Sequence, residues 1–147
     1  EMLASRGLHI ALAESCTGGL LTSRLTDIPG SSRYVAQAVI AYTNEAKTAL
    51  LGVPAPLIEA HGAVSEPVAV AMADGARTRA GVEVGVGVTG IAGPGGGTPE
   101  KPVGTVAVAA SIVAEKRSRL FRFHGERDQV KFQASQAALD MVRRMLL

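Results

Sequence analysis

Two periodicities divide the chain. Leu8-His9-Ile10-Ala11-Leu12-Ala13 is short and largely apolar, as a buried strand is, whereas Leu20-Leu21-Thr22-Ser23-Arg24-Leu25 places apolar residues at helical spacing. Upstream, Glu1 to Gly7 reads as the end of a helix with Gly7 as its C-cap. The helix from Leu20 should stop near Asp27, where Ile28-Pro29-Gly30-Ser31-Ser32 breaks it, and Tyr34–Tyr42 follows as a strand rich in β-branched and aromatic residues. Thr43 or Asn44 caps a short helix through Leu51, ended by Gly52-Val53-Pro54, and a second short helix is expected over Pro56–His61. Ser65-Glu66-Pro67 opens a well-buried helix to about Ala80. Val82–Val88 is a strand, and Val103–Ile112 with Arg117–Phe123 predicts an antiparallel hairpin. Glu126–Leu147 closes the chain as a long helix, with Val130, Ala134, Ala137, Ala138, Met141, Val142 and Leu146 along its apolar face. No internal repeat is present.

Composition sharpens this pattern into a fold class. Of the 147 residues, 47% are hydrophobic but only 3% aromatic, so the core must be Val, Ala, Leu and Ile. Small branched residues suit strands covered by helices, and we expect a single three-layer α/β/α domain over residues 1–147 around a mixed, largely central β-sheet. The chain starts on Glu1, not Met, as expected if it is cut from a longer one. The single Cys excludes an internal disulfide framework and, with no signal peptide or membrane-length apolar run, leads us to expect a cytoplasmic protein without a membrane partner. A net charge of +2 is too small to argue for nucleic acid. From Glu115 to Leu147, however, eight Lys or Arg face four Asp or Glu, an excess suited to an anionic small molecule or to a solvated helix face.

The candidate chemistry centres on Ala13-Glu14-Ser15-Cys16-Thr17-Gly18-Gly19. A strand, a tight glycine turn and a helix would expose the Ser15 hydroxyl in front of the N–H groups of Thr17, Gly18 and Gly19. Such a site suits a nucleophile beside an oxyanion hole, or a bound phosphate; the plainer alternative is an N-cap serine on a chain-turning loop. Gly85-Val86-Gly87-Val88-Thr89-Gly90 matches the dinucleotide pattern G-x-G-x-x-G, but its glycines lie within a strand and no helix follows, so the pattern loses its meaning. Thr89–Thr98 holds five glycines directly after a strand, which suits either backbone contact with a phosphate or a flexible surface loop. A base for Ser15 must come from His9, His61, His124 or Lys47. His9 reads as structural and His61 as the end of a surface helix, while His124 could contact a ligand. Lys47 stands out because it lies in the first turn of a helix, where a cation is disfavoured, and both that position and burial among Val and Ala would lower its pKa. Cys16 is the rival nucleophile, expected to turn into the sheet–helix interface. Glu14 could orient Lys47, bind a ribose, or satisfy loop amides. No His/Asp/Glu cluster has metal spacing, so no metal is expected.

These segments, together with Pro29-Gly30-Ser31-Ser32, Tyr42-Thr43-Asn44-Glu45-Ala46-Lys47, Gly62-Ala63-Val64-Ser65-Glu66, Thr89-Gly90-Ile91-Ala92-Gly93-Pro94 and Lys101-Pro102-Val103-Gly104-Thr105-Val106, resemble the CinA C-terminal domain family in order and over nearly the whole chain. The resemblance implies a nicotinamide mononucleotide deamidase, which releases nicotinate mononucleotide and ammonia without a cofactor. It carries the nucleophile to Ser15, a supporting tyrosine and lysine to Tyr42 and Lys47, and a substrate-binding arginine to Arg127. Glu14, Thr17, Gly18, Gly19, Thr89, Gly90 and Gly93 complete the expected oxyanion and substrate site. Relatives imply a homo-oligomer, expected to be a dimer. Two alternatives stay open: a non-enzymatic nucleotide- or partner-binding module tied to competence or DNA damage, and a phosphate-ester hydrolase using the same serine.

Overall fold

Five strands, β1 (Ile10–Glu14), β2 (Val35–Ile40), β3 (Val84–Gly90), β4 (Thr105–Ile112) and β5 (Glu115–Arg122), form one sheet in the order β2-β1-β3-β4-β5. The computed structural model describes all residues, 1–147. β1 lies parallel to both β2 and β3; β3–β4 and β4–β5 are antiparallel. The sheet is therefore mixed, with β1, β3 and β4 buried inside it. Helices α1 (Met2–Ser5), α2 (Leu20–Thr26) and α6 (Arg127–Met145) cover one face, and α3 (Asn44–Leu51), α4 (Ala55–His61) and α5 (Glu66–Ala80) the other. This is the three-layer α/β/α arrangement.

Strand alternation gives the two faces different characters. Toward α6 point Ile10, Leu12, Val84, Val86, Val88, Val106 and Val108, packed on Val130, Ala134, Ala138 and Val142. Toward α5 the sheet offers small residues: Ala11 and Ala13 on β1, Gly85 and Gly87 beside them on β3, Ala107 and Ala109 on β4. A Cβ on Gly85 would stand 2.1 Å from the Ala73 carbonyl oxygen, and one on Gly87 2.2 Å from that of Ala69. The glycines of the discarded dinucleotide pattern thus let α5 lie directly on the strand. Gly75, whose Cβ would stand 2.0 Å from the Leu51 carbonyl oxygen, lets α3 press equally close to α5. A polar tie secures the far end, where the Ser111 hydroxyl donates to Asp74 (2.6 Å) and accepts from Arg77 (3.2 Å).

Several boundaries move from those expected. β1 runs from Ile10, not Leu8, because strand pairing begins where the Ile10 N–H donates to the Tyr34 carbonyl (2.8 Å). Tyr34 closes a single 3-10 turn, Ser31–Arg33, before β2 starts at Val35. β5 begins at Glu115, leaving only Val113 and Ala114 in the hairpin turn. No helix is long and apolar enough to cross a membrane.

The close α5–β3 approach sets a stability test. Gly87→Ala should lower stability by about 2–3 kcal/mol or prevent folding, since only backbone movement relieves the contact. Gly95→Ala, with nothing within 4 Å of the added carbon, should stay within about 0.5 kcal/mol of wild type. Urea-unfolding midpoints for the two variants check this.

Candidate active site

Ser15 is the first residue beyond β1. Its N–H donates to the Val88 carbonyl of β3 (3.0 Å) and its own carbonyl accepts from Gly18 (3.0 Å), so the serine is fixed at both main-chain ends. The reversal into α2 uses left-handed backbone at Gly18 (φ 58°) and Gly19 (φ 103°), which only glycine adopts cheaply. The neighbouring N–H groups have distinct fates. Those of Ser15, Gly18 and Gly19 all find acceptors, whereas those of Cys16 and Thr17 find none in the protein. The free donors beside Ser15 are therefore Cys16 and Thr17, correcting the expectation that placed the Gly18 and Gly19 amides in the oxyanion hole. The Thr17 hydroxyl is also fully buried and without a partner.

Glu14 is wholly buried, and both its oxygens are taken. It accepts from the N–H groups of Gly19 (3.2 Å), Leu21 (2.9 Å) and Thr22 (2.9 Å) and from the Thr22 hydroxyl. Of the three roles open to it from the sequence, the structure selects the loop-amide carboxylate: Glu14 anchors the first turn of α2 and leaves no oxygen for substrate or for Lys47. Burial and these donors suit one another, because a carboxylate accepting several N–H bonds is stable away from water.

Lys47 comes from α3. The Thr43 hydroxyl caps that helix by accepting from Ala46 (3.1 Å), and Lys47 falls in its fourth position. The side chain runs inward, only 2% exposed, and brings Nζ to 3.1 Å from Ser15 Oγ. Nζ also donates to the carbonyls of Ala41 (3.2 Å) and Tyr42 (3.3 Å). No carboxylate lies within ion-pair distance. Burial pushes the amine below its ordinary pKa of 10.5, and the weaker pull of Cys16 and Glu45 the other way does not restore it. Desolvation rather than the helix end is the leading cause.

Cys16 turns into the core between sheet and helices, where burial pushes its thiol up to about 12. A protonated buried thiol is a poor nucleophile. His9 pairs with Glu83 at the surface, and His61 and His124 are exposed, so no histidine competes with Lys47 for Ser15.

The glycine loop and α6 form the opposite wall. Thr89 is buried with its hydroxyl donating to the Ala63 carbonyl (3.0 Å), and a Cβ on Gly90 would stand 2.6 Å from Val106. Both positions shape the start of the loop, and the Thr89 hydroxyl is committed to Ala63. Gly93 contributes a carbonyl, which accepts from Arg127 Nη1 (2.6 Å), while Arg127 Nη2 donates to the Tyr42 hydroxyl (3.1 Å). Arg127, the first residue of α6, thus ties the glycine loop to the strand-end tyrosine. Tyr42 meets the Lys47 amine through its carbonyl; its phenol is held by Arg127 instead of lying on the amine as the expected proton relay requires. No group of three His, Cys, Asp or Glu side chains gathers anywhere. One site residue escaped the sequence reading: Lys131, a helical turn beyond Arg127, whose Nζ approaches Gly18. The spacing of four from Arg127 was its only signal.

A buried serine–lysine pair at a strand–turn–helix junction of a three-layer α/β/α domain defines the class. The chain belongs to the CinA C-terminal domain family, whose model matches residues 1–146. A CinA-like protein of Gemmatimonas aurantiaca is 60% identical over 96% of this chain, and a competence-damage inducible protein of Symbiobacterium thermophilum 54% identical over 100% of it. The chain spans only about a third of those relatives, 33% and 37% of their lengths. Among solved structures, the competence/damage inducible protein CihA of Agrobacterium tumefaciens superposes with a TM-score of 0.96 at 39% identity, over 99% of this chain and 89% of that one. A CinA superfamily protein of Escherichia coli gives 0.93 at 34% identity, over 97% and 83%.

The buried amine has a consequence for stability. Lys47 binds a proton less readily when folded than when unfolded, so between its lowered pKa and 10.5 the unfolded chain holds more protons and stability rises with pH. Lys47→Met removes that dependence. Chemical denaturation at pH 7 and pH 9 should show wild type gaining more stability over that interval than the variant.

Proposed function

We propose that this chain is an amidohydrolase that converts nicotinamide mononucleotide and water to nicotinate mononucleotide and ammonia. The observation that carries the reaction type is the 3.1 Å contact between Ser15 Oγ and a buried Lys47 amine that lacks a carboxylate partner. The substrate follows from the family resemblance.

In its neutral form the Lys47 amine has two N–H bonds and one lone pair. Its two N–H bonds match the Ala41 and Tyr42 carbonyls, which leaves the lone pair for the Ser15 hydroxyl. Lys47 accepts the hydroxyl proton as Oγ attacks the carboxamide carbon. The tetrahedral oxygen takes the negative charge, and we assign its stabilisation to the N–H groups of Cys16 and Thr17, which have no acceptor within the protein. The C–N bond then breaks as Lys47 returns the proton to the departing nitrogen, releasing ammonia. Water, deprotonated by the same amine, hydrolyses the Ser15 ester and restores the serine. Tyr42 orients the amine through its carbonyl, and Arg127 holds Tyr42 and the glycine loop around the substrate.

A binding module without catalysis gains nothing from an amine buried against a serine hydroxyl, an arrangement that costs stability. Ester hydrolysis at phosphate by clustered acidic metal ligands finds no such cluster.

Ammonia release from nicotinamide mononucleotide by the purified domain tests the reading. Ser15→Ala should lower kcat/KM by about three orders of magnitude or more, while Cys16→Ser keeps most of it. Lys47→Arg should be as inactive as Lys47→Ala, because arginine cannot give up its proton in this range. Wild-type kcat/KM should rise with pH as Lys47 loses its proton. A Lys47→Arg enzyme near wild-type activity would eliminate the neutral-base mechanism, and absence of ammonia would eliminate the substrate.

A further inference from the structure

Arg127 and Lys131 lie one turn apart on the same side of α6, yet their surroundings differ. Both terminal nitrogens of Arg127 already have acceptors, Gly93 and Tyr42. Lys131 is half-buried and makes no ion pair and no hydrogen bond. Its Nζ stands 3.9 Å from where a Cβ on Gly18 would be, against the turn whose Cys16 and Thr17 N–H groups lack acceptors. Its charge reaches Cys16, where it favours the thiolate. Partial burial strips water from an ammonium, and an unpaired one is unfavourable unless an anion arrives to meet it.

Space for that anion is present. An open cavity of about 490 Å³ is lined by Leu20, Glu126, Arg127, Asp128 and Lys131. Its two carboxylates, Glu126 and Asp128, share one α6 donor and neither pairs with Lys131. Glu126 accepts the Gln129 N–H in a capping box, and Asp128 Oδ1 accepts from the same group at 2.9 Å. Lys131 is then the cation on this wall with no partner in the protein. The left-handed glycine at position 18 keeps its approach to the turn free of side chain.

We propose that Lys131 binds the phosphate monoester of the substrate, and that Arg127 is a strut that positions Gly93 and Tyr42 instead of the main phosphate ligand. This rests on the reading of the site as one for a mononucleotide. The division of labour follows from the contacts: two of the arginine's donors tie Gly93 to Tyr42, whereas the lysine ammonium makes no hydrogen bond or ion pair within the protein.

Titration calorimetry with ribose 5-phosphate and with ribose tests it without reference to ammonia release. Wild type should bind the phosphate ester and not ribose. Lys131→Gln should weaken ribose 5-phosphate by about tenfold or more, the loss expected for one charge-assisted contact, and Lys131→Arg should stay within about threefold of wild type. Thermal unfolding should show both variants folded, since position 131 lies on a helix surface. With nicotinamide mononucleotide, Lys131→Gln should raise KM more than it lowers kcat. Equal affinity of wild type and Lys131→Gln for ribose 5-phosphate, or no preference of wild type for the ester over ribose, would overturn the assignment. A domain that binds the ester through Lys131 but releases no ammonia would leave it standing and refute deamidation alone.

Discussion

Two ionisable groups are buried within a few ångströms of Ser15, and the way each is kept there organises the site. Glu14 is surrounded by donors, three N–H groups and a hydroxyl, so its charge is solvated by the protein and serves as an anchor for α2. Lys47 has carbonyls and a hydroxyl around it but no negative charge, so burial favours the neutral amine. One group is made inert by complete satisfaction. The other is left uncharged, with a lone pair available, by incomplete satisfaction. The scaffold supports this difference: the Thr43 cap fixes where α3 begins, and Gly75 lets α3 sit tightly on α5, so the Lys47 side chain has nowhere to go but toward β1.

Much of this was legible in the sequence, for local reasons. The strand–glycine–helix succession around Ser15 is written in neighbouring residues, and Lys47 was conspicuous as a cation near a capped helix start. Cys16 was placed correctly in the core because alternate positions on such a turn face opposite ways. What the sequence could not give depends on contacts between distant segments. Which N–H groups of the Ser15 turn stay free was settled by Glu14 and by the Ser15 carbonyl, which claim Gly19 and Gly18. The glycine loop suited either a phosphate contact or a flexible surface loop, and what the sequence did not show is that Thr89 and Gly90 pack its start while the Gly93 carbonyl accepts from Arg127. Tyr42 and Arg127 were each singled out, yet their hydrogen bond to one another has no local signature.

The small-residue face of the sheet teaches the same lesson from the side of packing. Gly85 and Gly87 match a dinucleotide motif in spacing alone, since they lie within β3 and no helix follows it directly. Their purpose appeared only from the register, which sets them beside Ala11 and Ala13 and under the α5 backbone. A glycine pattern in a buried strand can be a record of helix–sheet distance and carry no chemistry at all.

The Ser15–Lys47 contact and the wall facing it also belong to different stretches of chain. Ser15 and Lys47 are 32 positions apart, joined through neighbouring parallel strands, whereas the bond from Arg127 to Tyr42 spans 85. Closing the longer loop carries the greater entropic cost and the weaker claim to form early. The serine turn is itself held from β3 through Val88, so both the Ser15–Lys47 contact and the wall facing it depend on pairings between distant segments. Because α6 also covers Ile10, Leu12, Val84, Val86 and Val88, its loss would uncover the apolar face of the sheet as well as remove Arg127 from Tyr42 and Gly93.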